Sequence, residues 1–446
     1  MKKLLYQLSF YFSRLFYITA GVIVGLFVLA FFFPQLEIIG KLALLCLALM
    51  VLLDFIIIYA KRTPVSVQRR CGDRFSNGDD NKVTLEVTNK LPYGVALVLI
   101  DELPFQFQKR NWQVAVSIPA GSTKLVQYNV KPTERGVYQF GITNVLQRGV
   151  LGMVIRHIKS GTEKEVTTYP SFIQMRRYQL LAATNQLMET GSRRLRKIGN
   201  SLEFEQIREY VLGDDYRTIN WKATARKNAI MVNSFMDERS QQVICLIDKG
   251  RTMKMPFEGM SLLNYAINAS LVLSNIVLSK QDKAGILAFG KKVDQYIAPD
   301  KKATQLGLIL EGLYRQETDF ADSDFDSLYA AVRYRIKQRS LLILFTNFES
   351  TYGLERQLPY LQKLASHHPL LVVFFENTEL ADVLHKKAAS LEEIYTQTIA
   401  AKFAFEKRQM VKELQKHGIM AMLTPPQKLT ANTLNRYLEL KARQVV

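Results

Sequence analysis

The segment from Gly199 to Arg226, GNSLEFEQIREYVLGDDYRTINWKATAR, crowds Glu203, Glu205, Glu209, Asp214 and Asp215 together with Arg208, Arg217, Lys222 and Arg226. Grouped carboxylates can hold Mg²⁺ or exchange a proton, and Asp214, Asp215 and the later Asp248 are the three a metal-dependent hydrolase would use. The same residue types allow a structural use. Arg208 or Arg217, paired bidentately with Asp214 or Glu209, would fold the segment into a fixed shape. Phe204, Tyr210 and Trp221 would then pin it onto the domain that follows. No base or nucleophile can be named beside the carboxylates. The chain has neither the GxxxxGK[ST] phosphate loop nor the GxSxG elbow, and its few histidines do not stand near expected strand ends. A binding segment without a catalytic set is therefore the first reading, and a metal-dependent enzyme acting on cell-envelope substrates is the alternative.

The elements around this segment change character along the chain. From Thr63 to about Pro170, NKVTLEVTNKL alternates Val83, Leu85 and Val87 with polar neighbours. VALVLIDELP, TKLVQYNVKP and GVYQFGITNVLQ continue the pattern, with Gly, Pro and Asn between the runs. Short alternating strands at this spacing predict an antiparallel β-sandwich over 63–170. Residues 171–240 form the charged segment with a basic linker, GSRRLRK, ahead of it. After Gln241 the pattern becomes strand, helix, strand, helix. QQVICLID, KAGILAF, SLLILFTNF and PLLVVFFEN are apolar strands, VDQYIA reads as an edge strand, and GIMAMLTPP is a late one. The alternation predicts a doubly wound parallel sheet over 241–446, whose sites lie at the carboxyl ends of strands, the first at Asp248.

The first sixty residues differ from both. Phe16–Phe33 and Leu42–Ala60 are almost free of charge, and each is long enough to cross a hydrocarbon core of about 30 Å. They predict a transmembrane hairpin over 1–62. Lys2, Lys3 and Arg14 precede the first run, and Lys61, Arg62, Arg69 and Arg70 follow the second. The positive-inside rule puts both termini and the soluble domains on the cytoplasmic side of the inner membrane. Asp54, inside the second run, either contacts a partner helix or sits protonated near the helix end.

The formal charge of +19 calls for an anionic partner. No nucleic-acid-binding motif accompanies it, so nucleic acid is set aside in favour of anionic lipid. The three cysteines, Cys46, Cys71 and Cys245, stand far apart and without metal spacing, as expected in a reducing compartment.

The string GNSLEFEQIREYVLGDDYRTINWKATARKNAIMVNSF resembles the signature of the domain of unknown function 58 family. The matching positions are Glu203-Phe204, Arg208-Glu209-Tyr210, Gly213-Asp214, Arg217, Trp221-Lys222 and Ala225-Arg226. The resemblance covers roughly residues 170–440. It implies that the α/β region is a von Willebrand factor A-like domain and that the signature residues form a partner-binding or structural surface. It also implies a partner, a MoxR-type AAA+ ATPase, often with other von Willebrand A-like or membrane proteins. The implied role is a membrane-anchored adaptor or scaffold in chaperone-like assembly or maturation of protein complexes. Such domains often hold Mg²⁺ on an Asp-x-Ser-x-Ser loop with a Thr and an Asp from later loops. By that resemblance the ligands here are Asp248, Thr252 and Thr318. Gly250 stands where a hydroxyl is expected and Asn347 where an Asp is expected, so the set is degenerate. Mg²⁺ is the one cofactor it could take. The structural alternative is that Asp248 caps the helix expected near Glu258 or pairs with a neighbouring Lys or Arg.

Overall fold

The computed structural model describes residues 10–109, 112–189, 198–212, 214–236, 240–318, 320–378, 383 and 390–443, with backbone alone for 181–189, 198–206 and 234–236. The chain divides into two compact units, Met1–Tyr169 and Pro170–Val446.

In the first unit a short strand, β1 (Phe10–Phe12), leads into helices α1 (Arg14–Ala30) and α2 (Leu36–Tyr59). Ten strands follow: β2 (Val65–Cys71), β3 (Arg74–Ser76), β4 (Asn81–Asn89), β5 (Val95–Asp101), β6 (Gln113–Ile118), β7 (Thr123–Val130), β8 (Gly136–Phe140), β9 (Thr143–Arg148), β10 (Val154–Ser160) and β11 (Lys164–Tyr169). They form a sheet of order β1-β10-β9-β5-β6 and two smaller ones, β2-β4-β7 and β3-β11-β8. Pairing is antiparallel except between β11 and β3. The inward residues of the alternating strands, among them Val67, Leu85, Val87, Leu97, Leu99 and Val145, make one core between the first two sheets. This burial is what the period-two patterning encodes.

Helix α2 has 24 residues and a mean hydropathy of 2.8, and most of it is uncovered by protein. At about 36 Å it is long enough to cross a membrane. Helix α1 is apolar too but has 17 residues, about 25 Å of helix. The connection expected between the two apolar runs is largely absorbed into α2, which already starts at Leu36. The helices pack on one another through Phe16, Ala20, Ile23 and Phe27 against Ala43, Leu47 and Val51.

Asp54 settles differently from either expectation. It is fully buried and accepts hydrogen bonds from the backbone N–H groups of Leu151, Met153 and Val154 at 3.0, 2.9 and 3.0 Å. Its partner is thus a β-hairpin turn and not a helix. A Cβ at Gly149 would collide with the Asp54 carboxyl group. Arg156 of β10 donates to the carbonyls of Ile58, Lys61 and Arg62 at 2.8, 2.9 and 3.0 Å. Those carbonyls lie at and beyond the end of α2, where helical partners run out. The hairpin is therefore tied to the sheet at both its ends, since β1 also pairs with β10.

In the second unit, helix α3 (Phe172–Glu189) precedes a long two-stranded ribbon of β12 (Ile198–Glu209) and β13 (Met231–Met236), between which lies helix α4 (Trp221–Lys227). The sequence pattern marks 171–240 only as segment and linker. Yet Met175 and Tyr178 pack against the main core, and the Ser171 N–H donates to Asn268 at 2.9 Å. The remaining elements run β14 (Gln242–Asp248), β15 (Pro256–Phe257), β16 (Met260–Ser261), α5 (Leu262–Ser279), β17 (Lys283–Phe289), β18 (Val293–Asp300), α6 (Gln305–Tyr314), α7 (Phe325–Arg335), β19 (Leu341–Phe345), α8 (Thr351–His367), β20 (Leu370–Phe375), α9 (Leu391–Lys416), β21 (Met420–Thr424) and α10 (Leu429–Ala442). The main sheet has the order β18-β17-β14-β19-β20-β21. Five strands are parallel, while β18 runs antiparallel on its edge, so the sheet is mixed and not wholly parallel. One core packs α5, α6 and α10 on one face, and the other packs α7, α8 and α9 on the opposite face. Strands covered on both faces must be apolar throughout, as LLILF and LLVVFF are. Helix α5 is apolar enough to pass for a membrane span, but 83% of its apolar window is buried, which makes it a core helix.

Candidate functional site

The signature segment folds on the β12–β13 ribbon. Arg208 and Glu209 pair in register with Val232 and Met231. The chain between the strands then turns through a 3₁₀ helix, Tyr216–Thr218, into α4. Arg208 makes a bidentate bond to Asp214, Nη1 to Oδ2 at 2.7 Å and Nη2 to Oδ1 at 2.6 Å. The Val211 N–H also donates to Asp214 at 2.9 Å. The Arg208 bonds, then that N–H, hold the Asp214 carboxyl below the usual carboxylate range. Asp215 accepts from the Arg217 N–H at 3.0 Å and caps the 3₁₀ turn. Arg217 turns to Tyr216, its guanidinium 5.6 Å from the ring centre, and not to Asp214 or Glu209. Asn220 caps α4 by accepting from the Ala223 N–H at 3.0 Å, and donates to Asn233 of β13 at 2.8 Å. Asn228 closes α4 with φ 54°, a left-handed cap that Asn tolerates.

This frame leaves its apolar residues outside. Leu212 is 97% exposed, Trp221 72%, Tyr216 70% and Val211 61%. Trp221 therefore does not pin the segment to the sheet. Tyr210 is half-buried, while Glu209, Lys222 and Arg226 are exposed. The backbones of Glu203 and Phe204 pair with Met236 and Phe235, and Gly213 and the basic cluster Arg193, Arg194, Arg196 and Lys197 lie outside the described residues.

A second locus lies at the carboxyl ends of β14 and β19. A cavity of about 520 Å³ is lined there by Asp248, Thr252, Ser323, Asn347 and the start of α8. Asp248 is buried and accepts from Thr346 Oγ1 at 2.6 Å, from the Gly250 N–H at 2.8 Å and from Ser323 Oγ. Burial pushes its carboxyl group above the usual range, and the Ser323, Thr346 and Gly250 bonds oppose the shift in that order. Gly250 is the residue that admits Ser323, because a Cβ there would collide with the serine hydroxyl. The helix that begins nearby is capped by Ser261, so Asp248 does not cap it. Nor does Asp248 pair with the neighbouring cations, for Lys249 bonds Asp294 and Arg251 bonds Asp322.

The expected metal ligands are not assembled. Thr252 shares the cavity with Asp248, but the Thr318 hydroxyl donates to the Lys249 carbonyl at 2.7 Å. Asn347 accepts from Lys407 Nζ at 2.6 Å. Among the described residues no three His, Cys, Asp or Glu side chains converge. A divalent cation needs several oxygens facing one point; here the Asp248 oxygens are engaged by Ser323, Thr346 and the Gly250 N–H, while Thr318 and Asn347 bond Lys249 and Lys407.

Sequence reasoning missed Ser323, Thr346 and Lys407. Thr346 stands beside Asn347 in FTNFES and carried a signal. Ser323 and Lys407 had none, since they reach the site from distant elements. Lys407, on α9, also lines an adjoining cavity of about 410 Å³ with Glu349, Phe375, Glu376 and Phe403. Burial pulls its ammonium down to about 8, against the opposing pull of Glu349.

The chain is similar to the uncharacterized protein YeaD of Bacillus subtilis (strain 168), 25% identical over 239 residues, and the match spans 52% of this chain and 56% of that protein's length. Among solved structures, the CARDB domain of the PF1109 protein of Pyrococcus furiosus matches 23% of this chain and 86% of its own at 15% identity, with a TM-score of 0.18. Proximal thread matrix protein 1 from the mussel byssus matches 44% of this chain and 46% of its own at 12% identity, with a TM-score of 0.27. Residues 206–400, which take in the Arg208–Asp214 pair, Trp221, Asp248 and Asn347, match the family described as "Protein of unknown function DUF58".

Proposed function

We propose that this protein is a membrane-anchored scaffold whose second unit binds a protein partner through the signature ribbon. The observation that carries this is the exposure of Val211, Leu212, Tyr216 and Trp221 on a frame that Arg208, Asp214 and Asn220 shape without them. Exposed aromatic and aliphatic groups on a rigid support, with Lys222 and Arg226 beside them, are what a protein interface needs. The partner we assign is a MoxR-type AAA+ ATPase, acting with this chain in chaperone-like assembly or maturation of protein complexes. The assignment rests on the family resemblance. We read the second unit as von Willebrand A-like on two grounds: parallel strands covered on both faces, and a buried Asp at the end of a central strand. We place the soluble parts on the cytoplasmic side because the flanks of the two apolar helices carry Arg and Lys.

The test is capture from detergent-solubilised membranes with the tagged full chain as bait. The wild type should recover an AAA+ ATPase, and a Leu212→Ser/Trp221→Ala variant should lose it while Asp248→Asn keeps it. Failure of the wild type to recover any such ATPase would overturn the reading.

A further inference from the structure

In the first unit, a groove of about 740 Å³ runs between the start of α1 and the outer face of the β1-β10-β9-β5-β6 sheet. Its floor is set by register. Val98 lies opposite Leu146 and Ile155 opposite Arg148, so Ala96, Val98, Leu146 and Ile155 share one face on neighbouring strands. These four residues are apolar and only partly covered, and Ser117, Asn144, Arg148 and His157 lie on the same face around them. Two cations line the groove, Arg14 at the first turn of α1 and Arg148 at the end of β9, and among the described residues no acidic side chain does.

The face of α1 that lines the groove runs on past it. Gly21 and Gly25 fall on the same helical face as Arg14 and Ile18, and a Cβ at either glycine would meet nothing within 4 Å. Ile18 and Val22 on that face are 52% and 61% exposed. The opposite face, with Phe16, Ala20, Ile23 and Phe27, is the one packed on α2. The result is a cationic mouth leading into a shallow apolar trough on a helix that we read as membrane-embedded.

We infer that this groove binds an anionic phospholipid, its phosphate between Arg14 and Arg148 and one acyl chain along Ile18, Gly21, Val22 and Gly25. Three features select a lipid. The charge sits at the end of the helix where headgroups lie, the face at Ile18, Gly21, Val22 and Gly25 is apolar and not covered by the described protein atoms, and guanidinium groups bind phosphate oxygens bidentately. A second copy of the chain on the same face would bring four guanidinium groups together across the interface, which like-charge repulsion opposes. The inference rests on the membrane-anchored reading of α1 and α2.

The experiment uses the full chain and two readouts. Alkaline carbonate washing of membranes tests the anchor, and native mass spectrometry of the detergent-solubilised protein, given phosphatidylglycerol or phosphatidylcholine, tests the site. The wild type should stay in the pellet and retain phosphatidylglycerol in preference to phosphatidylcholine. Arg14→Gln or Arg148→Gln should lower that preference about fivefold and the double variant about thirtyfold, while Arg148→Lys keeps most of it. A Val22→Trp change, which fills the trough and leaves both charges, should also reduce retention. Release by carbonate would overturn the anchor itself. A protein that stays in the membrane but retains both lipids equally, or loses nothing on Arg14→Gln/Arg148→Gln, would overturn the lipid site alone. So would disulfide-linked dimers of a Gly21→Cys variant, which would show that a second copy covers the face.

Discussion

Asp248 illustrates how one residue can look like a ligand and be held as an acceptor. Its oxygens are engaged by Ser323, Thr346 and the Gly250 N–H in a buried setting. Asp248→Asn keeps size and hydrogen bonding without a buried charge, so it should be no less stable than wild type at neutral pH. Asp248→Ala strands two hydroxyls and an N–H and should cost about 1–3 kcal/mol in denaturant unfolding. Adding Mg²⁺ or EDTA should leave the wild-type midpoint unchanged, and a Mg²⁺-dependent rise that Asp248→Ala abolishes would restore the metal site. Lys407 makes a pH-dependent contribution. Its ordinary value of 10.5 applies to the unfolded chain, and about 8 to the folded one. As pH falls from 10.5 to 8 the unfolded chain gains a proton that the folded chain does not, so stability declines across that window and levels off below it. Lys407→Met should remove this slope from a stability-versus-pH series.

At two turns one polar side chain makes several of the hydrogen bonds that hold the element. Asn220 joins the turn that carries Trp221 to β13 while capping α4. Asn220→Ala should cost about 1 kcal/mol and speed amide exchange through residues 219–233 without touching β14 or β17. In the first unit the Asp54 carboxylate accepts from three N–H groups of the turn at Leu151–Val154. Gly149→Ala should destabilise that unit by about 1–3 kcal/mol because the new methyl collides with the Asp54 carboxyl group. A thermal midpoint equal to wild type would mean that the turn moves aside freely.

At the scale of the whole molecule, an apolar helix pair and a charge of +19 act together. Helix α2 exposes Leu44, Leu45, Leu49, Leu52 and Leu53, each more than half accessible. Such a face is stable only when lipid or protein covers it. The full chain should therefore sediment with membranes in high salt, which screens surface charge but leaves apolar insertion intact. A chain lacking residues 1–62 should lose that salt-resistant association, and persistence would mean that charge alone holds the protein to the membrane.

Much of this architecture is legible in the sequence because periodicity reports burial directly. The alternation in NKVTLEVTNKL, the unbroken apolar runs of β14, β19 and β20 and the long apolar stretch of α2 each specify an element and its environment. Helix α3 was missed because its sequence is weakly patterned, and only packing of Met175 and Tyr178 shows its buried side. The pair Arg208–Asp214 was among the pairings the spacing allows, since both partners lie within one short segment. Local sequence could not say that Trp221 faces outward, that Arg217 turns to Tyr216, or that Asp54 seizes a turn nearly a hundred residues away. Nor could it place Ser323 on Asp248 or Lys407 on Asn347. Periodicity and local spacing determine elements, because those depend on neighbours along the chain. Which polar groups meet is decided by the tertiary structure, because a buried donor takes whichever acceptor folding brings within reach.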